Sequence, residues 1–261
     1  MATVLIGIVI AGAIAFIATR GGPRRSHRPP PSAAGAPQPA AHPPPAREAF
    51  GANVNRLFDD RFGDHPYTAA QIDAALRSLH QTGATLARTD TLWDVTEPYP
   101  PVSAVHHYDW RFDDSIAASL AAHGLRWLPV LDYSPLWAKS NARLLHSPPA
   151  SARDYAAFAS AFATRYGRGG AFWRTHPRAT PQPVTTYEIW NEPDNGVFWS
   201  PVPDARSYAD LYLEARKRIT AVDPSARVIV GGLTNVPGFV PKLLDTRPQL
   251  RASGTGDQKT P

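Results

Sequence analysis

The sequence lacks cysteine altogether, which excludes disulfide bonds and metal sites built on thiolates. This absence leaves export open, because many exported bacterial enzymes contain no cysteine. Acidic residues are missing from residues 1–47, which contain five arginines. The rest of the chain holds 22 basic and 22 acidic residues, so its net charge is zero. The basic balance therefore belongs to the N-terminal tail, and the folded part carries no nucleic-acid-binding signature.

One long apolar run stands at the N-terminus, where Ala2–Ala18 is apolar except for Thr3. It predicts a membrane anchor or export signal over residues 1–20, with the folded domain exported or held outside the cell. A buried core helix is the alternative. The arginines at positions 20–28 follow the run and, by the positive-inside rule, favour the cytoplasm for what comes next, so the topology stays open. The Pro- and Ala-rich residues 21–47 predict a disordered linker.

Residues 48–250 alternate short apolar runs with helical periods, which is the pattern of βα units. We predict strands at 50–55, 84–89, 125–131, 184–190 and 227–231. We predict helices from a Thr68–Gln71 capping box to Gly83, from after Asp113 to Gly124, from Ser151, and over 207–222 and 237–244. The fold class is therefore α/β: an incomplete (β/α)8 barrel of the TIM type with about five βα units. Its open sheet would expose unpaired strand edges, so either a partner chain covers the edge or the piece folds poorly.

The run Tyr187–Asp194 reads Tyr-Glu-Ile-Trp-Asn-Glu-Pro-Asp and joins a predicted strand to a loop. Proline cannot continue a strand ladder, so Glu192 should stand where the strand stops. In a parallel barrel that end carries the active site. A carboxylate there, beside Asn191 and aromatic residues, suits sugar chemistry, since a glycosidase needs an acid to protonate the leaving oxygen. The alternative is a surface glutamate in a turn.

The stretch from Tyr187 to Trp199, with its Asn-Glu-Pro step, resembles the fourth-strand motif of clan A glycoside hydrolases, which are retaining (β/α)8 barrels. The pattern is most similar to family 39, the β-xylosidase and α-iduronidase type, and the resemblance extends over about residues 50–236. It implies that Glu192 is the general acid/base and that Asn191 contacts the sugar 2-hydroxyl. It also implies that Arg88 is the second-strand arginine that supports the two catalytic carboxylates. A structural arginine in an ion pair is the alternative for Arg88.

Other side chains near the predicted strand ends are candidates for contacts with a carbohydrate substrate. Asp132, Tyr133 and Trp137 follow the third strand, and Trp199 follows the Asn-Glu-Pro motif. For all four, ordinary loop or core packing is the alternative. Glu188 lies on the opposite face of its strand from Ile189, and we interpret it as a structural partner rather than a second catalytic acid. We expect no cofactor, and no metal site at His106 and His107, because no carboxylate cluster shares their spacing.

A second catalytic carboxylate is missing from the sequence pattern. By the resemblance, the nucleophile is a glutamate on the seventh strand, yet no glutamate follows Glu214. With five predicted strands and an irregular tail over residues 251–261, we expect a C-terminally truncated glycosidase that is inactive as it stands. One alternative is a non-catalytic carbohydrate-binding or cell-surface protein derived from a glycosidase. Another is an unrelated α/β domain with a chance Asn-Glu-Pro.

Overall fold

Five parallel strands form one sheet in the order β1-β2-β3-β4-β5. In this computed structural model the described residues are 50–59, 66–177 and 179–253. The strands are β1 (Gly51–Asn53), β2 (Leu86–Leu92), β3 (Arg126–Asp132), β4 (Thr186–Ile189) and β5 (Arg227–Val230). The parallel sheet agrees with the predicted incomplete barrel. The predicted N-terminal apolar segment and Pro-rich linker lie outside the described residues.

Helices alternate with the strands, as βα units require. They are α1 (Asn55–Phe58), α2 (Ala69–Gln81), α3 (Trp93–Thr96), α4 (Arg111–Ala122), α5 (Ala152–Tyr166), α6 (Ala171–Thr175), α7 (Ala205–Val222), α8 (Val236–Thr246) and α9 (Leu250–Ser253). The predicted capping box at the start of α2 is present: the Thr68 hydroxyl accepts from the Gln71 N–H, and the Gln71 side chain accepts from the Thr68 N–H. The Ser151 hydroxyl caps α5 through a single contact, in which it accepts from the Asp154 backbone N–H at 3.2 Å.

Two element boundaries differ from the predictions for identifiable reasons. The first strand ends at Asn53, because α1 begins at Asn55. Helix α4 begins at Arg111, three residues before the predicted start after Asp113. Asp113 does not act as a cap because its carboxylate is buried and accepts hydrogen bonds from the Thr91 and Thr96 hydroxyls. The carboxylate thus ties α4 to β2 and α3 instead of starting the helix.

The two faces of the sheet have different environments. Tyr187 and Ile189 of β4 pack into the apolar core, where the Phe162 ring of α5 meets the Tyr187 ring edge-on. Side chains alternate along a strand, and partners in register share a face. The register pairs Asp90 with Val130, Val130 with Glu188 and Leu92 with Asp132. We call the face opposite the α5 and α7 layer the inner face; it carries Arg88, Asp90, Asp132 and Glu188.

Strands β1 and β5 each pair with one neighbour among the described strands. Val230 of β5 is 40% exposed and borders an apolar groove of about 260 Å³ between β5 and α8. An open edge of this kind is where the sequence predicts either a covering partner chain or poor folding. Within the part of the chain that the structure describes, no helix has both the length and the apolar character for crossing a membrane.

Candidate active site

The chain changes direction sharply at the C-terminal end of β4. Trp190 and Glu192 both adopt positive φ angles, 65° and 44°, which side-chain-bearing residues rarely do. The fully buried Trp190 ring fixes this conformation, since its indole N–H donates to the Phe198 carbonyl at 2.7 Å and its backbone N–H to the Leu131 carbonyl at 3.1 Å. The bend brings Asn191 and Glu192 to the strand end as half-buried side chains.

Arg88 connects β2 to this strand end. Its Nε and Nη2 atoms donate to the two Glu188 carboxylate oxygens at 2.8 and 2.7 Å. Nη2 also donates to Asn191 Oδ1 at 3.1 Å. Burial alone would lower the pKa of Arg88, but the hydrogen bonds and charge of Glu188 outweigh it and raise that pKa. Glu188 further accepts from the Gly232 N–H at 2.8 Å, so its contacts are those of a structural partner.

Asn191 is held from two sides. Its Oδ1 accepts from Arg88, and its Nδ2 donates to the Tyr133 hydroxyl at 3.3 Å. These partners lie 103 and 58 residues away in the sequence. The structure therefore brings Arg88, Tyr133 and Asn191 together with the adjacent Glu192. Among the described residues, the second N–H of the amide and the second lone pair of Oδ1 have no other hydrogen-bond partner and can serve a ligand.

Tyr133 lies in an aromatic cluster behind the strand end. Its ring stacks on His146 at 4.3 Å between centroids and meets the Trp190 ring edge-on at 5.4 Å. Burial raises the pKa of Tyr133 well above its usual range, so the phenol stays neutral. The buried ring lies beneath Asn191 and orients it through the hydroxyl, which differs from the exposed subsite wall that the sequence suggested.

Asp132 and Asp90 are buried acids on the inner face. Asp132 is 0% exposed, and neither carboxylate oxygen has a hydrogen-bond partner within residues 50–59, 66–177 and 179–253. Burial, and then the negative charge of Asp90, raise the pKa of Asp132 well above the usual value. Burial likewise raises the pKa of Asp90 to about 6. The fully buried Asp132 therefore does not line an accessible sugar subsite. The sequence places this residue at a strand end, but a strand-end position alone does not show how deeply the carboxylate is buried.

The two tryptophan candidates lie in different surroundings. Trp199 is 2% exposed and meets the Trp190 ring edge-on at 5.4 Å, so it supports the bend from the core rather than facing a ligand. Trp137 is half-buried, and its indole N–H donates to the Glu97 carbonyl at 3.0 Å.

The Glu97 carboxylate is buried and lies 2.7 Å from His106 Nδ1. No grouping of three or more potential metal-binding His, Cys, Asp or Glu side chains occurs among the described residues.

The structure adds one partner of Glu192 that sequence reasoning missed, Asn195. Asn195 Nδ2 donates to Glu192 Oε2 at 2.9 Å, and the Asn195 backbone N–H donates to the Glu192 carbonyl at 2.9 Å. An asparagine three residues after a Glu-Pro step was a usable signal, because asparagine readily bonds to nearby groups in turns. Glu192 is thus a half-buried carboxylate with one oxygen held by a neutral donor.

Comparisons with known proteins give similarity in structure only. The sequence matches no protein-family model and no curated protein sequence. The GH39 enzyme from Xanthomonas axonopodis pv. citri has 23% identity over 70% of this chain, with a TM-score of 0.54. A monomeric beta-xylosidase from Caulobacter crescentus CB15 has 24% identity over 80%, with a TM-score of 0.52. A glucosidase from Croceicoccus marinus has 16% identity over 78%, with a TM-score of 0.55.

The chain spans less than half of these structures: 36%, 42% and 42% of their lengths, respectively. The structural neighbours are GH39 and other glycoside hydrolases, and at identities below 25% the structural similarity shows a shared fold alone. The five βα units described here are therefore part of a barrel of the kind that these glycoside hydrolases possess.

Proposed function

We propose that this chain carries the general acid/base half of a retaining glycoside hydrolase site that acts on an oligo- or polysaccharide. The observation that supports this most is the hydrogen-bonded chain Arg88–Asn191–Tyr133, which fixes Asn191 beside Glu192 at the C-terminal end of β4. In a barrel this end is where catalytic residues lie. The shared fold with glycoside hydrolases supports the same assignment.

Each side chain is assigned a chemical role from the hydrogen-bonding groups that it can still offer to a substrate. Protonated Glu192 donates its proton to the glycosidic oxygen as the bond to the leaving group breaks, and the resulting carboxylate later activates water. Asn191 uses its remaining N–H and lone pair to bind a hydroxyl of the sugar ring. Arg88 and the neutral Tyr133 phenol keep the amide oriented, so that its hydrogen bonds form without reorganisation.

A retaining mechanism needs a second carboxylate about 5–5.5 Å from the first. The carboxylate of Glu188 is committed to Arg88 and the Gly232 N–H. By the resemblance stated above, the nucleophile lies on a seventh strand, whereas the described sheet has five strands. The proposal therefore assigns the nucleophile to βα units outside the described residues, joined to this chain or supplied by a partner at the β5 edge. It also includes export or membrane anchoring through the N-terminal segment.

The test is hydrolysis of panels of aryl xylosides and glucosides whose leaving groups range from good (nitrophenol) to poor (phenol). The 261-residue chain should show no turnover above buffer, because losing one of two catalytic carboxylates costs many orders of magnitude. A fusion with the C-terminal barrel units of the Caulobacter beta-xylosidase should turn over. Glu192→Gln should then abolish most turnover of substrates with poor leaving groups, while Glu214→Gln on the surface of α7 should leave it unchanged.

Two outcomes would contradict the proposal. Turnover by the 261-residue chain that Glu192→Gln leaves unaffected would overturn both the mechanism and the site. Saturable sugar binding by a well-folded fusion without turnover would favour the alternative of a non-catalytic carbohydrate-binding protein.

A further inference from the structure

The loop after Glu192 is a turn organised by Asn195. The Asn195 backbone N–H closes the turn on the Glu192 carbonyl at 2.9 Å. The Asn195 carbonyl in turn accepts from the Phe198 and Trp199 N–H groups at 3.0 and 2.8 Å. Trp199 is buried in the core, so the backbone of Asn195 is fixed relative to the sheet. Its side chain therefore starts from a defined position.

The side-chain amide of Asn195 has a settled orientation. The Val197 backbone N–H donates at 3.0 Å to Oδ1, and a backbone N–H can only be a donor. Oδ1 is therefore the atom on that side, and Nδ2 is the atom that faces Glu192 Oε2 at 2.9 Å. The amide group assignment, which is often ambiguous in asparagine, follows here from the backbone contact.

Asp194 fastens the same turn to the next loop of the sheet. Its Oδ2 accepts from the Thr234 hydroxyl at 3.2 Å and from the Asn235 backbone N–H. Asn235 caps α8 by accepting from the Gly238 N–H at 3.1 Å. The turn that carries Asn195 is thus anchored to the loop after β5, independently of its contact with Glu192.

We propose that Asn195 is a positioning residue for Glu192: its amide holds Oε2, so that Oε1 faces the strand-end opening and carries the transferable proton. This inference rests on the proposed function, and it names the group that controls the acid. The carbonyl oxygen of a carboxylic acid accepts hydrogen bonds better than its hydroxyl oxygen does. A donor fixed on Oε2 therefore favours the proton on Oε1 and also fixes the rotamer of the side chain.

If Asn195 were merely structural, it would stabilise the turn without positioning Glu192. The variant Asn195→Asp separates these two roles. Aspartate keeps the Oδ1 acceptor for the Val197 N–H. It has no N–H for Glu192 and places a second negative charge against it. The matched control is Asp194→Asn, which keeps an acceptor for the Thr234 and Asn235 contacts in the same turn.

The first measurement uses the wild-type chain and needs no turnover. The side-chain amide resonances of Asn195 are followed by ¹H–¹⁵N NMR from about pH 3 to pH 7, the range in which glutamates titrate. They should shift together with the Glu192 carboxyl ¹³C resonance, which is assigned by its loss in Glu192→Gln. In Glu192→Gln the Asn195 shift should disappear. Amide resonances that shift equally in wild type and Glu192→Gln would overturn the proposal.

The second measurement follows the Glu192 carboxyl resonance in the variants. In Asn195→Asp its pH profile should move to higher pH, whereas in Asp194→Asn, which removes a negative charge, it should not move to higher pH. Circular dichroism melting should show that both variants fold. If the pH profile of Glu192 does not move in a folded Asn195→Asp variant, Asn195 has only a structural role and the proposal is wrong. Because neither readout depends on hydrolysis, a failed positioning role is distinguishable from a failed glycosidase assignment.

Discussion

Arg88 shows how one side chain can set the geometry of a whole strand end. Its guanidinium binds both oxygens of Glu188 and still reaches Asn191, so it joins β2 to β4 and to the loop beyond. A bidentate arginine contact fixes direction as well as distance. The fork geometry is what allows one residue to hold a buried carboxylate and orient an amide together.

At this scale we predict that Arg88→Met lowers the free energy of unfolding by about 3 kcal/mol, since it leaves Glu188 buried with an uncompensated charge. The double variant Arg88→Met with Glu188→Gln should recover part of the loss, because no buried charge then remains. Urea unfolding at pH 7 measures both. Arg126→Met, an exposed arginine at the start of β3, should change stability by about 0.5 kcal/mol or less. Equal losses for Arg88 and Arg126 would contradict the buried pair.

At the scale of elements, the sequence predicts structure best where a local signal decides it. The Thr68–Gln71 capping box and the Ser151 cap mark the starts of α2 and α5, as predicted, because capping depends on neighbouring residues only. The start of helix α4 is not decided locally, because the Asp113 carboxylate accepts from the Thr91 hydroxyl on strand β2. The burial of Asp132 and Trp199 is not decided locally either, because it depends on how separate elements pack.

The local signal at α2 gives the second prediction. Thr68→Ala removes the hydroxyl that accepts from the Gln71 N–H and should cost about 1 kcal/mol of stability. Ser78→Ala is the matched control on the same helix, because the exposed Ser78 hydroxyl donates to the Ala74 carbonyl within the helix and caps nothing. Urea unfolding of the two variants should separate them. A larger loss in Ser78→Ala would show that the cap contributes nothing.

At the scale of the whole molecule, buried acids link stability to pH. Asp113 is fully buried, and burial, only partly offset by its hydrogen bonds from Thr91 and Thr96, raises its pKa to about 7. Burial raises the pKa of Asp90 to about 6, and that of Asp132 also rises. The alternation of side chains along a strand places Asp90 and Asp132 on one face, but it cannot show that both carboxylates are buried there near Arg88. That property belongs to the assembled sheet.

The third prediction follows from the sign of these shifts. The folded pKa values lie above the unfolded value of 3.8, so between them the folded state binds more protons than the unfolded state. The stability that these protonated acids contribute is therefore full below about pH 4 and is lost as the pH rises to about 7, by on the order of a few kcal/mol. Asp113→Asn should flatten this fall, because the amide does not ionise, while Asp245→Asn, an exposed acid on α8, should leave it unchanged. The measurement is urea unfolding at half-unit steps of pH, and the same pH dependence in the wild-type chain and in Asp113→Asn would contradict the role assigned to the buried Asp113.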